Sequence, residues 1–164
     1  MQPAHWANKI TLRKYTLDDM PFMQELYAST RESELAITNF SEQEKMNFVA
    51  QQFSAQISHY TQHYCTDCFD IIELDGMPIG RLFVDHWDKE IRIVDIALTA
   101  EYRNKGLGTY LFNLLFEQAS ACKKSITIHV EHNNPAKSLY ERLGFTLKTQ
   151  TNEIYLLMEW QSLH

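Results

Sequence analysis

The chain has 164 residues, 45% of them apolar and 12% aromatic, and a formal net charge of −6. Such a composition excludes a disordered chain, and at this size about 70% of the unfolded surface is buried on folding, enough for one domain with a real core. The acidic balance argues against a nucleic-acid partner, which needs a basic face, and suits cationic ligands as well as plain solubility.

In chain order, "ITLRKYT" (10–16) alternates as a strand does. Asp18 and Asp19 then open a helix with Met20, Met23, Leu26 and Tyr27 on one face. "SEQEKMNFVAQQFSAQISHY" (41–60) is a second helix, with Ser41 and Glu44 in a capping-box pattern. "FDIIEL" (69–74) and "IGRLFVDHW" (79–87) are strands joined by "DGMP", which predicts a hairpin. "EIRIVDIALT" (90–99) is a third strand, reached through the polar turn "DHWDKE".

Residues 105–122 are helical, with Leu107, Leu111, Leu114, Leu115 and Ala119 at helical spacing. "SITIHV" (125–130) is a strand rich in β-branched residues. "NPAKSLYERLG" (134–144) is a short helix, with Asn134 as N-cap, Pro135 in the first helical position and Gly144 just past the end. "FTLKTQ" (145–150) and "EIYLLMEW" (153–160) close the chain as a strand pair. The order β-α-α-β-β-β-α-β-α-β-β predicts an α/β (α+β) fold, with a mixed sheet of about seven strands flanked by about four helices. Its unit from 90 to 130 is a parallel crossover. No repeat, low-complexity tract or linker divides the chain, so one domain over 1–164 is expected.

"MQPAHWANKI" does not look like a signal peptide, and no apolar run approaches the about 18 residues of a membrane span. Cys65, Cys68 and Cys122 are an odd number without framework spacing, which fits reduced thiols. A cytoplasmic protein without a membrane partner is the expectation. "HYTQHYCTDC" groups His59, His63, Cys65 and Cys68, all zinc-type ligands, but ligands clustered at one helix end must still close a tetrahedron, and no metal is expected.

"YRNKGLGTYL" (102–111) places Gly106 and Gly108 behind Arg103 and Lys105 at the start of a helix. A helix N-terminus carries unpaired N–H groups and about half a positive charge, and glycine lets the backbone approach a bulky anion. The turn suits a pyrophosphate; an isolated G-x-G also serves as a plain tight strand-to-helix connection. A Walker A loop is absent. A dinucleotide fingerprint is weakened but left open: Leu111 stands where a third small residue belongs, "TAEYRNK" separates strand from glycine, and Glu131 lies near the place of the ribose-binding acid.

"IVDIALTAEYRNKGLGTYL" resembles the acetyl-CoA-binding segment of GNAT-type N-acetyltransferases, R/Q-x-x-G-x-G/A after a splayed strand. "VEHNNPAKSLYERLGF" (130–145) resembles the family's second segment, N-x-x-A-x-x-L-Y-x-x-x-G-F, and the two stand in the family's order and spacing. The resemblance implies a mostly antiparallel twisted sheet and acetyl-CoA as co-substrate, without a metal. It implies pantetheine contacts from the backbone of Ile96, Ala97 and Leu98, with the Ile96 amide facing the thioester carbonyl. It implies a pyrophosphate on the amides of Asn104, Lys105, Gly106, Leu107, Gly108 and Thr109, with Arg103 and Asn133 as further cofactor contacts.

Tyr140 takes the position whose hydroxyl reaches the cofactor sulfur and protonates the leaving thiolate; its plainer reading is a core aromatic. Asp95 interrupts an apolar strand, and serves either as a base or ammonium ligand or as a structural partner of Arg92 or Arg103. His86, His129 and Glu73 are lesser base candidates. The expected activity is transfer of an acetyl group to a primary amine, by direct attack in a ternary complex. The acceptor is a small amine or a peptide or protein amine, met by residues 28–68 and the 85–90 and 149–153 turns. A non-catalytic acyl-CoA-binding sensor on the same fold is the alternative. A homodimer is the prior for assembly.

Overall fold

The computed structural model describes residues 4–162, so the first three and last two residues of the expected 1–164 domain lie outside the described residues. Seven strands form one sheet in the order β1-β2-β3-β4-β5-β7-β6. They are β1 (Ile10–Lys14), β2 (Cys68–Leu74), β3 (Met77–His86), β4 (Glu90–Leu98), β5 (Ser125–Glu131), β6 (Thr146–Gln150) and β7 (Tyr155–Trp160). Only β4 and β5 run parallel; every other pairing is antiparallel. That arrangement sets the dinucleotide reading aside, because a doubly wound dinucleotide fold needs a mostly parallel sheet.

The helices are α1 (Ala4–Ala7), α2 (Met20–Ala36), α3 (Glu42–His63), α4 (Leu107–Cys122) and α5 (Ala136–Arg142). The single turn α1 carries too short a pattern to be read from sequence. Asp18 and Asp19 fall in a short 3-10 turn rather than in α2 itself. Ser41 caps α3 as expected: its Oγ accepts from the Glu44 amide at 3.1 Å, and the Ser41 amide donates to Glu44 Oε1 at 2.9 Å. The "DGMP" hairpin turns through Asp75 and Gly76, at φ 49 and 82, the positive-φ pair of a tight two-residue connection. Helix α5 starts one residue later than the punctuation suggests, at Ala136, whose amide donates to Asn134 Oδ1 at 2.9 Å.

Side chains alternate across the strands and build a core on each face of the sheet. One face packs Ile91, Ile93, Leu82 and Val84 against α4 and α5; the other packs Phe69, Ile71 and Phe83 against α2 and α3. On α4 the buried arc runs from Leu107 through Leu111, Phe112, Leu115 and Ala119. Leu114, expected on that arc, falls past its edge and is 37% exposed, while Phe112 takes the inner position. No described helix is long and apolar enough to cross a membrane.

The feature that positions the site is a split in the sheet. β4 and β5 pair only from Glu90↔Ser125 to Ile93↔Ile128. On the β3 side, Phe83 pairs with Asp95 and Val84 with Ile93, so Val94 is an extra residue. A bulge bends its strand and adds twist. β4 therefore turns away after Ile93, while β5 continues alongside β7 as far as Glu131↔Tyr155. From Val94 to Leu98 one edge of β4 has no strand partner among the described residues.

Candidate active site

The split opens into a cleft of about 830 Å³. Ile96 and Ala97 line it from β4, and Tyr140 from α5. Leu98 does not; its carbonyl already accepts from Arg103 Nε at 2.9 Å. Arg103 also donates through Nη2 to Ser29 Oγ at 2.9 Å, so this guanidinium ties the loop to β4 and α2 rather than standing free beside it.

The loop beyond leads into α4. Asn104 and Gly106 sit at φ 60 and 83, and Gly106 caps α4 in the left-handed conformation glycine enters most readily. The amides of Asn104, Lys105, Gly106, Leu107, Gly108 and Thr109 reach no acceptor in the chain among the described residues. Tyr110 is the first to find one, the Gly106 carbonyl at 3.0 Å. A Cβ placed on Gly108 would meet nothing within 4 Å. Six consecutive unspent donors beside open space at a helix N-terminus fit a pyrophosphate. Leu107 is fully buried and anchors the turn. The Lys105 ammonium lies 6.0 Å from the Tyr102 ring centre.

Tyr140 is 8% exposed and packs its ring on Phe112 and Phe145, at 5.6 and 5.9 Å between centres. Its hydroxyl makes no hydrogen bond among the described residues. Burial, and then the negative charge of Asp95, push the phenol up to about 12. It is a core aromatic that also lines the cleft.

Asp95 also lines the cleft. Neither Arg92 nor Arg103 is its partner, contrary to expectation. Arg81, diagonal to it on β3, donates from Nε to Asp95 Oδ2 at 2.6 Å and from Nη2 to Gln56 Oε1 at 2.6 Å. Arg81 is 2% exposed, and its guanidinium lies 4.9 Å from the Phe83 ring centre. Burial and the Asp95 charge also push the Tyr60 phenol up.

Arg92 faces β5 instead, where Nε donates to Thr127 Oγ1 at 2.9 Å and Nη1 lies 3.4 Å from His129 Nδ1. Of the lesser base candidates only His129 reaches the cleft. Partial burial and the Arg92 charge hold its imidazole below the usual value, hence neutral. Glu73 is paired with Arg13 at 2.8 Å, and His86 lies at the exposed end of β3.

Asn133 sits in an exposed turn; its neighbour Asn134 lines the cleft, with Oδ1 spent on α5. The rest of the cleft takes Thr30, Arg31, Glu34, Gln52, Gln56, His59 and Tyr60 from the expected 28–68 segment. The 85–90 turn contributes nothing, and Ile154 and Tyr155 replace the 149–153 turn. Sequence reading missed Arg81, though a lone arginine in the apolar "IGRLFV" gave the same signal as Asp95 in "RIVDIAL". His59 and His63 stack on each other at 4.2 Å between centres, and no group of three metal-type ligands is arranged around an ion among the described residues.

Three comparisons bear on this geometry. A comparison with curated proteins returns no match. Among solved structures, a PaiA N-acetyltransferase from Thermoplasma acidophilum, in complex with coenzyme A, superposes with a TM-score of 0.64 at 21% identity, covering 93% of this chain and 99% of its own. The ribosomal-protein-S18-alanine N-acetyltransferase of Escherichia coli gives 0.58 at 17% identity, covering 93% of each chain. An acetyltransferase from Thermus thermophilus gives 0.62 at 13%, covering 94% and 97%. At these identities the likeness is one of fold. The family model described as "Acetyltransferase (GNAT) family" matches residues 22–145, from α2 through the splayed strand, the glycine turn and α5. The chain therefore belongs to the GNAT acetyltransferase family.

Proposed function

We propose that the protein is an acetyl-CoA-dependent N-acetyltransferase that moves an acetyl group to a primary amine by direct attack in a ternary complex. The observation that carries this is a cleft lined by an unpaired strand edge and a buried phenol, with a turn of six unspent amides following that strand in the chain. The solved structures with coenzyme A bound share this fold, which supports the same ligand here.

Acetyl-CoA supplies the activated acetyl thioester; the chain supplies position and protons. The free edge at Ile96 and Ala97 holds the pantetheine arm as a neighbouring strand would, and the Ile96 amide faces the thioester oxygen, where charge develops. The amides of Asn104 to Thr109 hold the pyrophosphate. Asp95 Oδ2 is taken by Arg81, so Oδ1 is the atom that meets the acceptor ammonium and takes its proton, directly or through water. His129 is less suited to that role: with Nδ1 accepting from Arg92, its proton sits on Nε2, leaving no free lone pair. Tyr140 gives its proton to the departing sulfur. A thiol titrates near 8.5, so a phenol near 12 is still protonated when a thiolate forms beside it.

Release of free thiol from acetyl-CoA, measured with a panel of small amines, amino acids, polyamines and peptides, tests the reading. Thiol release that depends on one amine class supports it. Tight coenzyme A binding with no release for any class favours the non-catalytic sensor.

A further inference from the structure

In the same cleft as Asp95, α2 presents a guanidinium that acetyl transfer itself does not require. Arg31 lines the acceptor half, with its side chain 27% exposed. Its Nε donates to Glu34 Oε2 at 2.9 Å and its Nη1 to the Tyr27 hydroxyl at 2.5 Å. The guanidinium carbon lies 5.7 Å from the Tyr27 ring centre and 5.5 Å from that of Phe48. A free arginine side chain carries about 2 kcal/mol of rotamer entropy, and two rings with two hydrogen bonds have already removed much of it. Nη2 has no partner among the described residues.

The charge is also poorly compensated. Glu34 is 61% exposed, and an ion pair that open to water is worth at most about 1 kcal/mol. Arg81, the other cation of the cleft, spends Nε on Asp95 and Nη2 on Gln56 and keeps Nη1 buried without a partner among the described residues. Glu131 faces the cleft from β5, beside Tyr155, exposed and held by no hydrogen bond or ion pair among the described residues. Arg31 is therefore the held charge of this half, with Glu34 and Glu131 as the more mobile carboxylates around it. A guanidinium held in place with Nη2 still free can donate to a carboxylate. Thr30 and Gln52 on the same walls offer neutral hydrogen-bonding groups, as a small polar molecule requires.

We infer that Arg31 is a carboxylate site for the acceptor, which is a small amine of the amino-acid class. Its amine points to Asp95 and Tyr140 while its carboxylate rests on Arg31. This rests on the acetyl-transfer reading above.

The test compares kcat/KM for matched sets: an amino acid, its carboxamide and its decarboxylated amine. A charge-assisted contact predicts a preference for the acid of about 10–100-fold. In Arg31→Met the preference falls to near one, through KM rather than kcat. In Arg31→Lys, which keeps the charge without the planar fork, part of it remains. Equal or better turnover of the carboxamide and the decarboxylated amine by the unaltered protein overturns the inference without any variant. Calorimetric titration of the same acids into the coenzyme A-saturated protein separates the two failures. Acid binding that Arg31→Met abolishes, without turnover, sinks acetyl transfer and leaves the carboxylate site standing. Amine turnover indifferent to the carboxylate does the reverse.

Discussion

Arg81 Nε lies 2.6 Å from Asp95 Oδ2, joining β3 to β4 immediately after the bulge that opens the sheet. The two ends of this pair are unequally buried: the Arg81 side chain is 2% exposed and that of Asp95 23%. Removing one member of a buried ion pair costs about 3–5 kcal/mol, because the other stays behind uncompensated. Asp95→Leu, which strands the deeper charge, is therefore expected to lower stability more than Arg81→Met, which leaves a carboxylate that water can reach. The double variant should recover most of the loss. Denaturant unfolding of the four proteins checks this; equal losses, or additive ones, would show that the contact is not coupled as the geometry requires.

Tyr140→Phe keeps the ring against Phe112 and Phe145, so the melting temperature should hardly move. It removes the proton donor, and kcat is expected to fall about 10²–10⁴-fold with acetyl-CoA affinity unchanged. Because the phenol titrates near 12, the alkaline limb of the rate profile below that value should be the same with or without Tyr140. A variant with unaltered kcat, measured where chemistry limits the rate, leaves Tyr140 as packing alone.

Gly108→Ala separates fold from ligand. A Cβ there meets no protein atom within 4 Å, and alanine favours a helix by up to about 1 kcal/mol over glycine. The variant should melt at or slightly above the parent temperature. The same Cβ enters the space assigned to the pyrophosphate, and acetyl-CoA affinity is expected to drop about tenfold or more. Unchanged affinity by calorimetry would place the phosphates elsewhere.

Much of this was legible in the sequence because it is written in local terms. Gly76, Gly106 and Gly144 mark turns that require positive φ, and Ser41 with Glu44 marks a helix start. Alternation found the seven strands, and the two quoted segments located the turn and Tyr140. What was not legible is pairing across distance. Asp95 stands out in its strand, but whether Arg81, Arg92 or Arg103 faces it depends on sheet register, which a bulge at Val94 shifts. The motif marks Arg103, but its folded contacts, Leu98 and Ser29, lie 5 and 74 residues away in the chain and no motif encodes them. The acceptor half is built by α2, α3, β5 and β7 converging, and no short stretch encodes that convergence.

Arg13 clamps Asp19 with two hydrogen bonds of 2.8 and 2.9 Å, and this holds the Asp19 carboxyl below its ordinary range. A depressed carboxyl contributes its full stability above the unfolded value of about 4 and loses it as pH falls through the folded value. Asp19→Asn should thus lower the melting temperature at pH 7, with the gap to the parent closing below roughly pH 4. A gap that persists at pH 2 would assign the loss to packing rather than charge.

The cofactor cradle is tested most directly by melting the protein with and without acetyl-CoA. At about 100 times the dissociation constant, a ligand specific to the folded state adds about 2.7 kcal/mol, roughly 5–10 °C for a chain of this size. Acetyl-CoA and coenzyme A should both produce that rise. Gly106→Asp, which sets a negative charge at the left-handed cap of α4, should abolish it while the far-UV spectrum stays native. No rise with either ligand, or a rise with NADH alone, contradicts the account.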